Sequence, residues 1–138
     1  MPRLDIIHDA IKNALIKDGW TITDDPYVIQ YRRTTLYADL GAERPIAAER
    51  DRQKLVVEVK SFLGASKIQD LKETLGQYDI YRYLLEETAP DRKLYVAVST
   101  VAHNTFFKQD VIQLILSRHQ LPLIVVNIET EEITQWIN

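Results

Sequence analysis

Tyr-Ala-Asp-Leu-Gly at residues 37–41 and, after a charged interlude, Leu-Val-Val-Glu-Val-Lys at 55–60 are the two pieces of sequence on which the fold turns. Read as a strand, the second piece sends Val56, Glu58 and Lys60 to one face and Leu55, Val57 and Val59 to the other. The latter set is an apolar face suited to burial under a helix. The former places a carboxylate and an ammonium at the end of a run otherwise built for the interior. A buried charge costs several kcal/mol unless it is paired or holds a metal. Glu58 and Lys60 therefore need a use, and Asp39, on the preceding strand, is the third group within reach. The plain alternative is an edge-strand ion pair between Glu58 and Lys60.

Upstream, Leu36 to Leu40 reads as a strand with Tyr37 and Asp39 on one face and Leu36, Ala38 and Leu40 on the other. Trp20 to Thr23 and Tyr27 to Tyr31 are two more short strands, separated by the turn signal Asp24-Asp25-Pro26. Residues 3–18 carry Leu4, Ile7, Ile11, Ala14 and Leu15 at helical spacing, with Gly19 as the stop. His8 lies roughly 20° round the axis from Leu15, at the edge of that apolar stripe, whereas Asp5 and Asp9 lie toward solvent. Gly41 to Gln53 reads as a loop or an extended hairpin, and Lys54 to Lys60 as the central strand.

Downstream, residues 67–87 form a long helix with a core stripe of Ile68, Leu71, Leu75, Tyr78 and Leu85. Thr74, Gln77 and Tyr81 run beside the stripe, and Gln77 and Tyr81 share one line at i and i+4. Leu94 to Ser99 is a buried strand, Phe106 to His119 a helix, Leu123 to Asn127 a strand and Ile133 to Ile137 a short final element. Helices alternate with strands in this half, so the expected class is α/β, a mixed sheet flanked by helices. The 138 residues hold no repeat, linker or low-complexity tract and read as one domain over 1–138.

Composition narrows the function classes. At 46% hydrophobic and 27% charged the chain is an ordinary globular protein. No leader pattern opens it, and no apolar run approaches the roughly 20 residues that cross a bilayer. It has no cysteine, which excludes disulfides and thiolate zinc sites and fits a cytoplasmic location. A net charge of −3 argues against coating nucleic acid by charge alone, though local fields still allow a nuclease. Basic residues gather round the opening stretch at Arg32-Arg33 and at Arg44, Arg50, Arg52 and Lys54. The second group either solvates a hairpin or contacts phosphate, and phosphate contacts would weaken with salt.

Asp39 followed by Glu58-x-Lys60, on two strands after an N-terminal helix, resembles the PD-(D/E)xK nuclease superfamily, with Ala38 in place of the proline. The element order also matches that superfamily's restriction-endonuclease-like α-β-β-β-α-β core, here with an added C-terminal helix and strands. Gln77-x-x-x-Tyr81 resembles the accessory motif of its RecB-like and Holliday-junction-resolvase branches, and His8 the helix-one histidine of the RecB-like branch. A fuller resemblance rests on Asp5-x-x-His8, residues 12–23, Asp39 to Glu43, Glu58 to Phe62, Leu75 to Tyr78 and Gln135 to Ile137. These segments are similar to the XisH family, excision-controlling factors of the fdxN DNA element in filamentous cyanobacteria. That resemblance implies a part in a programmed DNA rearrangement and a small partner protein, XisI.

The nuclease resemblance implies a metal-dependent phosphodiesterase using Mg²⁺ or Mn²⁺, one or two ions. Mg²⁺ prefers oxygen ligands and keeps several waters, so Asp39, Glu58 and the carbonyl of Val59 would suffice to hold it. Lys60 would orient the attacking water or stabilise the transition state, and Gln77 and Tyr81 would position the phosphate or that water. His8 completes the candidate set, while His103 and His119 read as structural. DNA is the expected substrate, and a double-strand break would need a homodimer or two visits. Two other roles remain open: a non-catalytic DNA-binding or assembly factor that assists a separate recombinase, and a nuclease toxin restrained by the partner. A structure with the Asp39 and Glu58 carboxylates on opposite sides of the sheet would end the nuclease reading.

Overall fold

The apolar run at 55–59 becomes β5 (Arg52–Val59), third in a six-stranded sheet, with its Leu55–Val57 segment sealed from solvent on both faces. The computed structural model describes residues 3–46 and 52–138, with side chains from Ile6 onward. Before β5 come α1 (Arg3–Lys17), β1 (Thr21–Asp24), β2 (Tyr27–Tyr31), β3 (Thr34–Ala38) and β4 (Leu40–Pro45). After it come α2 (Lys67–Thr88), β6 (Arg92–Ser99), α3 (Thr100–Asn104), a 3₁₀ turn (Phe106–Lys108), α4 (Asp110–His119), β7 (Leu123–Asn127) and β8 (Glu132–Ile137). The sheet runs β1-β4-β5-β6-β7-β8; β5 pairs antiparallel with β4 and parallel with β6. Its core therefore reads α1-β1-β4-β5-α2-β6, the expected order, with β2 and β3 inserted as a separate two-stranded hairpin.

Both faces of the sheet are covered. Leu55 and Val57 pack with Leu40, Tyr95 and Ile124 against Ile11, Ala14 and Leu15 of α1. Val56, Leu94, Val96 and Val125 pack on the other side against Leu71, Tyr78 and Leu85 of α2 and Ile112 of α4. Double coverage is why the central strands read as continuous apolar runs instead of clean alternation. Gly19 ends α1 at φ +95, a conformation that glycine adopts without strain. At Gly41 a Cβ would come within 2.7 Å of Asp24 Oδ2 and 2.9 Å of Tyr27 Cδ2, so a larger residue would displace those side chains where β4 passes the end of β1.

The structure revises several boundaries. The expected strand Leu36–Leu40 breaks at Asp39, so Ala38 packs on the α2 side and Leu40 on the α1 side instead of sharing a face. Of the loop or extended hairpin expected from Gly41 to Gln53, the hairpin holds for the described residues: β4 runs to Pro45, which pairs with Arg52. Arg50 lies outside the described residues. Ile68 is 40% exposed and leaves the core stripe of α2, which Thr74 and Tyr81 join. The helix expected from Phe106 begins at Asp110, because Phe106 and Phe107 turn inward on a 3₁₀ turn.

That inward turn matters energetically. Phe107 has no exposed surface and meets Phe62 edge-on with centroids 5.0 Å apart. Phe107→Ala would empty the space between α3, α4 and the end of β5. We expect urea denaturation to show a loss of about 3–5 kcal/mol, a large share of a domain's stability.

Candidate active site

Asp39 sits in the one-residue gap between β3 and β4, where the chain leaves the hairpin and enters the main sheet. Free of both ladders, its carboxylate turns across to β5 and accepts from the Val59 N–H, 2.7 Å at Oδ2. Glu58 does the converse: its Oε1 accepts from the Asp39 N–H at 3.2 Å. Each carboxylate is thus held by the backbone of the other's strand, and the two meet on one side of the sheet.

Glu58 is 6% exposed, and its pKa is raised to about 9. Burial is the largest cause, followed by the hydrogen bond to and the charge of the Asp39 carboxyl; Lys60 pulls the other way. The edge-strand ion pair is ruled out by position, since β5 is interior to the sheet and Glu58 bonds to Asp39. Lys60 continues the pairing of β5, its N–H donating to the Ala97 carbonyl at 3.0 Å, which keeps its side chain on the Glu58 face.

From α2, Gln77 Nε2 donates to the Tyr81 hydroxyl at 2.8 Å, and that hydroxyl donates to the Tyr37 carbonyl at 2.9 Å. Burial, more than the nearby Glu58 and Asp39 charges, raises the Tyr81 pKa, so it remains a neutral donor. The pair expected to reach substrate directly is therefore engaged in tying α2 to the residue two places before Asp39. Tyr81→Phe would leave the Tyr37 carbonyl without that donor. The expected cost is about 1–2 kcal/mol in thermal denaturation, with faster amide exchange in β3.

His8, half-buried on α1, completes the ring. Its Nε2 lies 3.0 Å from Asp25 Oδ1 and its Nδ1 4.0 Å from Asp39 Oδ1. Burial works against the Asp25 charge, but the Lys12 hydrogen bond (2.8 Å) and the charges of His8 and Lys12 outweigh it and hold the pKa down. An ionised Asp25 can only accept, so His8 Nε2 donates in that bond, which turns Nδ1 toward Asp39. Asp25 was legible only as part of a turn; it lies 17 positions beyond His8, across the end of α1 and β1, and no spacing rule reports that contact.

The buried carboxyl of Glu58 beside the partly exposed carboxylate of Asp39 is a donor set suited to a hard divalent ion. Among the described residues no three His, Asp or Glu side chains converge on one point. The protein's share would therefore be Asp39, Glu58 and the Val59 carbonyl, with the rest left to water, the coordination Mg²⁺ favours.

Arg44, Arg52 and Lys54 lie elsewhere. Arg44 and Arg52 sit at the far end of the β4–β5 pair, and Lys54 two residues nearer. Arg44 stacks on Trp20 and pairs with Asp18, Arg52 pairs with Glu43 and Lys54 with Asp91. His119 Nε2 meets Asp79 at 2.9 Å between α4 and α2, and His103 is buried beside Phe107; both sit away from the carboxylates.

The XisH protein family model matches residues 1–134. The chain belongs to the XisH family. Among solved structures, an XisH family protein from Nostoc punctiforme is similar to it with a TM-score of 0.88 and 38% identity, over 97% of this chain and all of that one. An fdxN element excision controlling factor protein from Anabaena variabilis is similar at 0.85 and 42%, over 97% and 99%. No curated protein matches. Every candidate site residue of this XisH chain falls within the matched span. Among its described residues no helix is long and apolar enough to cross a membrane.

Proposed function

We propose that this XisH family member is a Mg²⁺-dependent DNA endonuclease or nickase that acts in the excision of a DNA element. The reciprocal locking of Asp39 and Glu58, each carboxylate held by the other strand's N–H, carries the reading. A bound cation would make use of both acids at once. The excision context rests on its likeness to the Anabaena variabilis excision controlling factor.

Asp39, Glu58 and the Val59 carbonyl would hold the cation. When bound, a divalent ion neutralises charge developing on the phosphate and acidifies the attacking water. His8, whose Nδ1 lies 4.0 Å from Asp39 Oδ1, would take up that water's proton. Lys60, on the Glu58 face, stabilises the charge gathering on the phosphate oxygens. Tyr81 and Gln77 hold α2 against the Asp39 corner and so keep these groups in register. One such site cuts one strand, so a double-strand break takes a homodimer or two visits. An XisI-like small protein is the proposed partner.

The test is conversion of supercoiled plasmid to nicked circles by the purified protein in Mg²⁺ or Mn²⁺. Nicking that EDTA abolishes supports the reading. Intact plasmid and intact branched DNA, with and without the partner, would overturn it in favour of a non-catalytic assembly role.

A further inference from the structure

The β2–β3 hairpin stands outside the six-stranded sheet, and its composition departs from that of the chain. Residues 27–38 hold Arg32 and Arg33 and no acidic residue, in a protein of net charge −3. The inner face, with Ile29 and Ala38, is buried against α2. The outer face is open: Val28 and Tyr37, directly opposed in the ladder, are 50% and 59% exposed. At the tip both arginines are exposed. Among the described residues neither is in an ion pair, whereas Arg44, Arg52, Lys54, Arg82 and Arg92 all are. The turn is also braced. Gln30 donates to the Arg32 carbonyl at 2.7 Å and accepts from the Thr35 hydroxyl.

We propose that this hairpin is the arm that grips duplex DNA, with Arg32 and Arg33 on backbone phosphates and the Val28–Tyr37 pair against the sugars next to the Asp39 corner. The inference rests on the nuclease reading and adds where the substrate lies. Charge complementarity favours DNA: two guanidiniums outside any ion pair and the exposed hydroxyl of Thr34 are phosphate donors, with no carboxylate among them to repel. The reach fits as well. From Arg33 to Asp39 is six residues, about 20 Å of strand, which lies within one helical turn of about 34 Å. One duplex can therefore touch the tip and the carboxylates together, and the Tyr81 bond to the Tyr37 carbonyl fixes the arm relative to them.

The experiment is fluorescence anisotropy on a duplex of about 20 bp in EDTA, across a range of salt, so that binding is read without cleavage. Arg32 has φ +52, so the double variant Arg32→Asn, Arg33→Gln is chosen; asparagine tolerates that conformation. We expect affinity to fall by roughly tenfold or more and the slope of log K against log salt to shrink by about 2. A control lacking two charges elsewhere, Lys108→Gln with Arg118→Gln, should keep the wild-type slope. Unchanged binding in the arm variant, an equal loss in the control, or no duplex binding by the wild type would each overturn the assignment. Plasmid nicking is scored separately, so the arm can fail while the nuclease reading stands, and the reverse.

Discussion

Lys60→Ala is expected to lower plasmid nicking by about 10²–10³-fold while leaving the folded protein and the proposed cation ligands in place. The ammonium holds nothing together. Lys60 is tied in through its backbone N–H, and its side chain serves the fold only by offsetting part of the charge at Glu58. Asp39→Ala should remove at least as much activity for a different reason, because it deletes one of the two carboxylates and the acceptor of the Val59 N–H. The two variants then separate in a second measurement: Lys60→Ala still gains thermal stability from Mg²⁺, and Asp39→Ala does not. Nicking that survives both substitutions would show that the chemistry lies elsewhere.

Glu58→Gln should abolish cleavage and yet stabilise the metal-free protein. In the folded state burial and Asp39 raise the Glu58 pKa to about 9, against an ordinary value of 4.5. A carboxyl with a raised folded pKa gives stability that is fully present below about pH 4.5 and is lost as pH rises toward 9. At neutral pH folding must take up a proton or bury an uncompensated charge. Glutamine removes that cost, and its amide can still donate to Asp39 where the protonated carboxyl did. The expected gain is on the order of 2 kcal/mol at pH 7, roughly 5–8 °C in Tm, vanishing near pH 4. Wild-type stability should slope downward from pH 5 to 9, the variant should not, and added Mg²⁺ should close the gap by binding only the wild type. A variant less stable than wild type at pH 8 would show that Glu58 is not held out of water without a counter-charge.

How much of this could be read from the chain depended on range. The alternation of 55–60 placed Glu58 and Lys60 on one face, the element order predicted the sheet, and the i,i+4 spacing aligned Gln77 with Tyr81. Each of these is a local periodicity, and each survives folding. What escaped was set by chain breaks and distant contacts. Strand alternation assumes an unbroken ladder, so it placed Ala38 and Leu40 on one face; the step at Asp39 separates them. The basic cluster at 44–54 is near the site in sequence, but β4 and β5 run antiparallel, which carries Arg44 and Arg52 to the opposite end of the pair. Gln77 and Tyr81 fell on the right face, yet only the fold reveals that the Tyr37 carbonyl takes up the Tyr81 hydroxyl. Asp25 is the clearest case: a residue read as punctuation proves to orient His8.

The central claim, that Asp39 and Glu58 form a cation site, is tested most directly by titrating the metal-free protein with Mn²⁺ and following free Mn²⁺ by electron paramagnetic resonance. The account predicts saturable binding of one or two ions per chain to the wild type and to Lys60→Ala, lost in Asp39→Ala. Wild-type protein that binds no Mn²⁺, or an Asp39→Ala variant that binds it as tightly as wild type, would contradict the account.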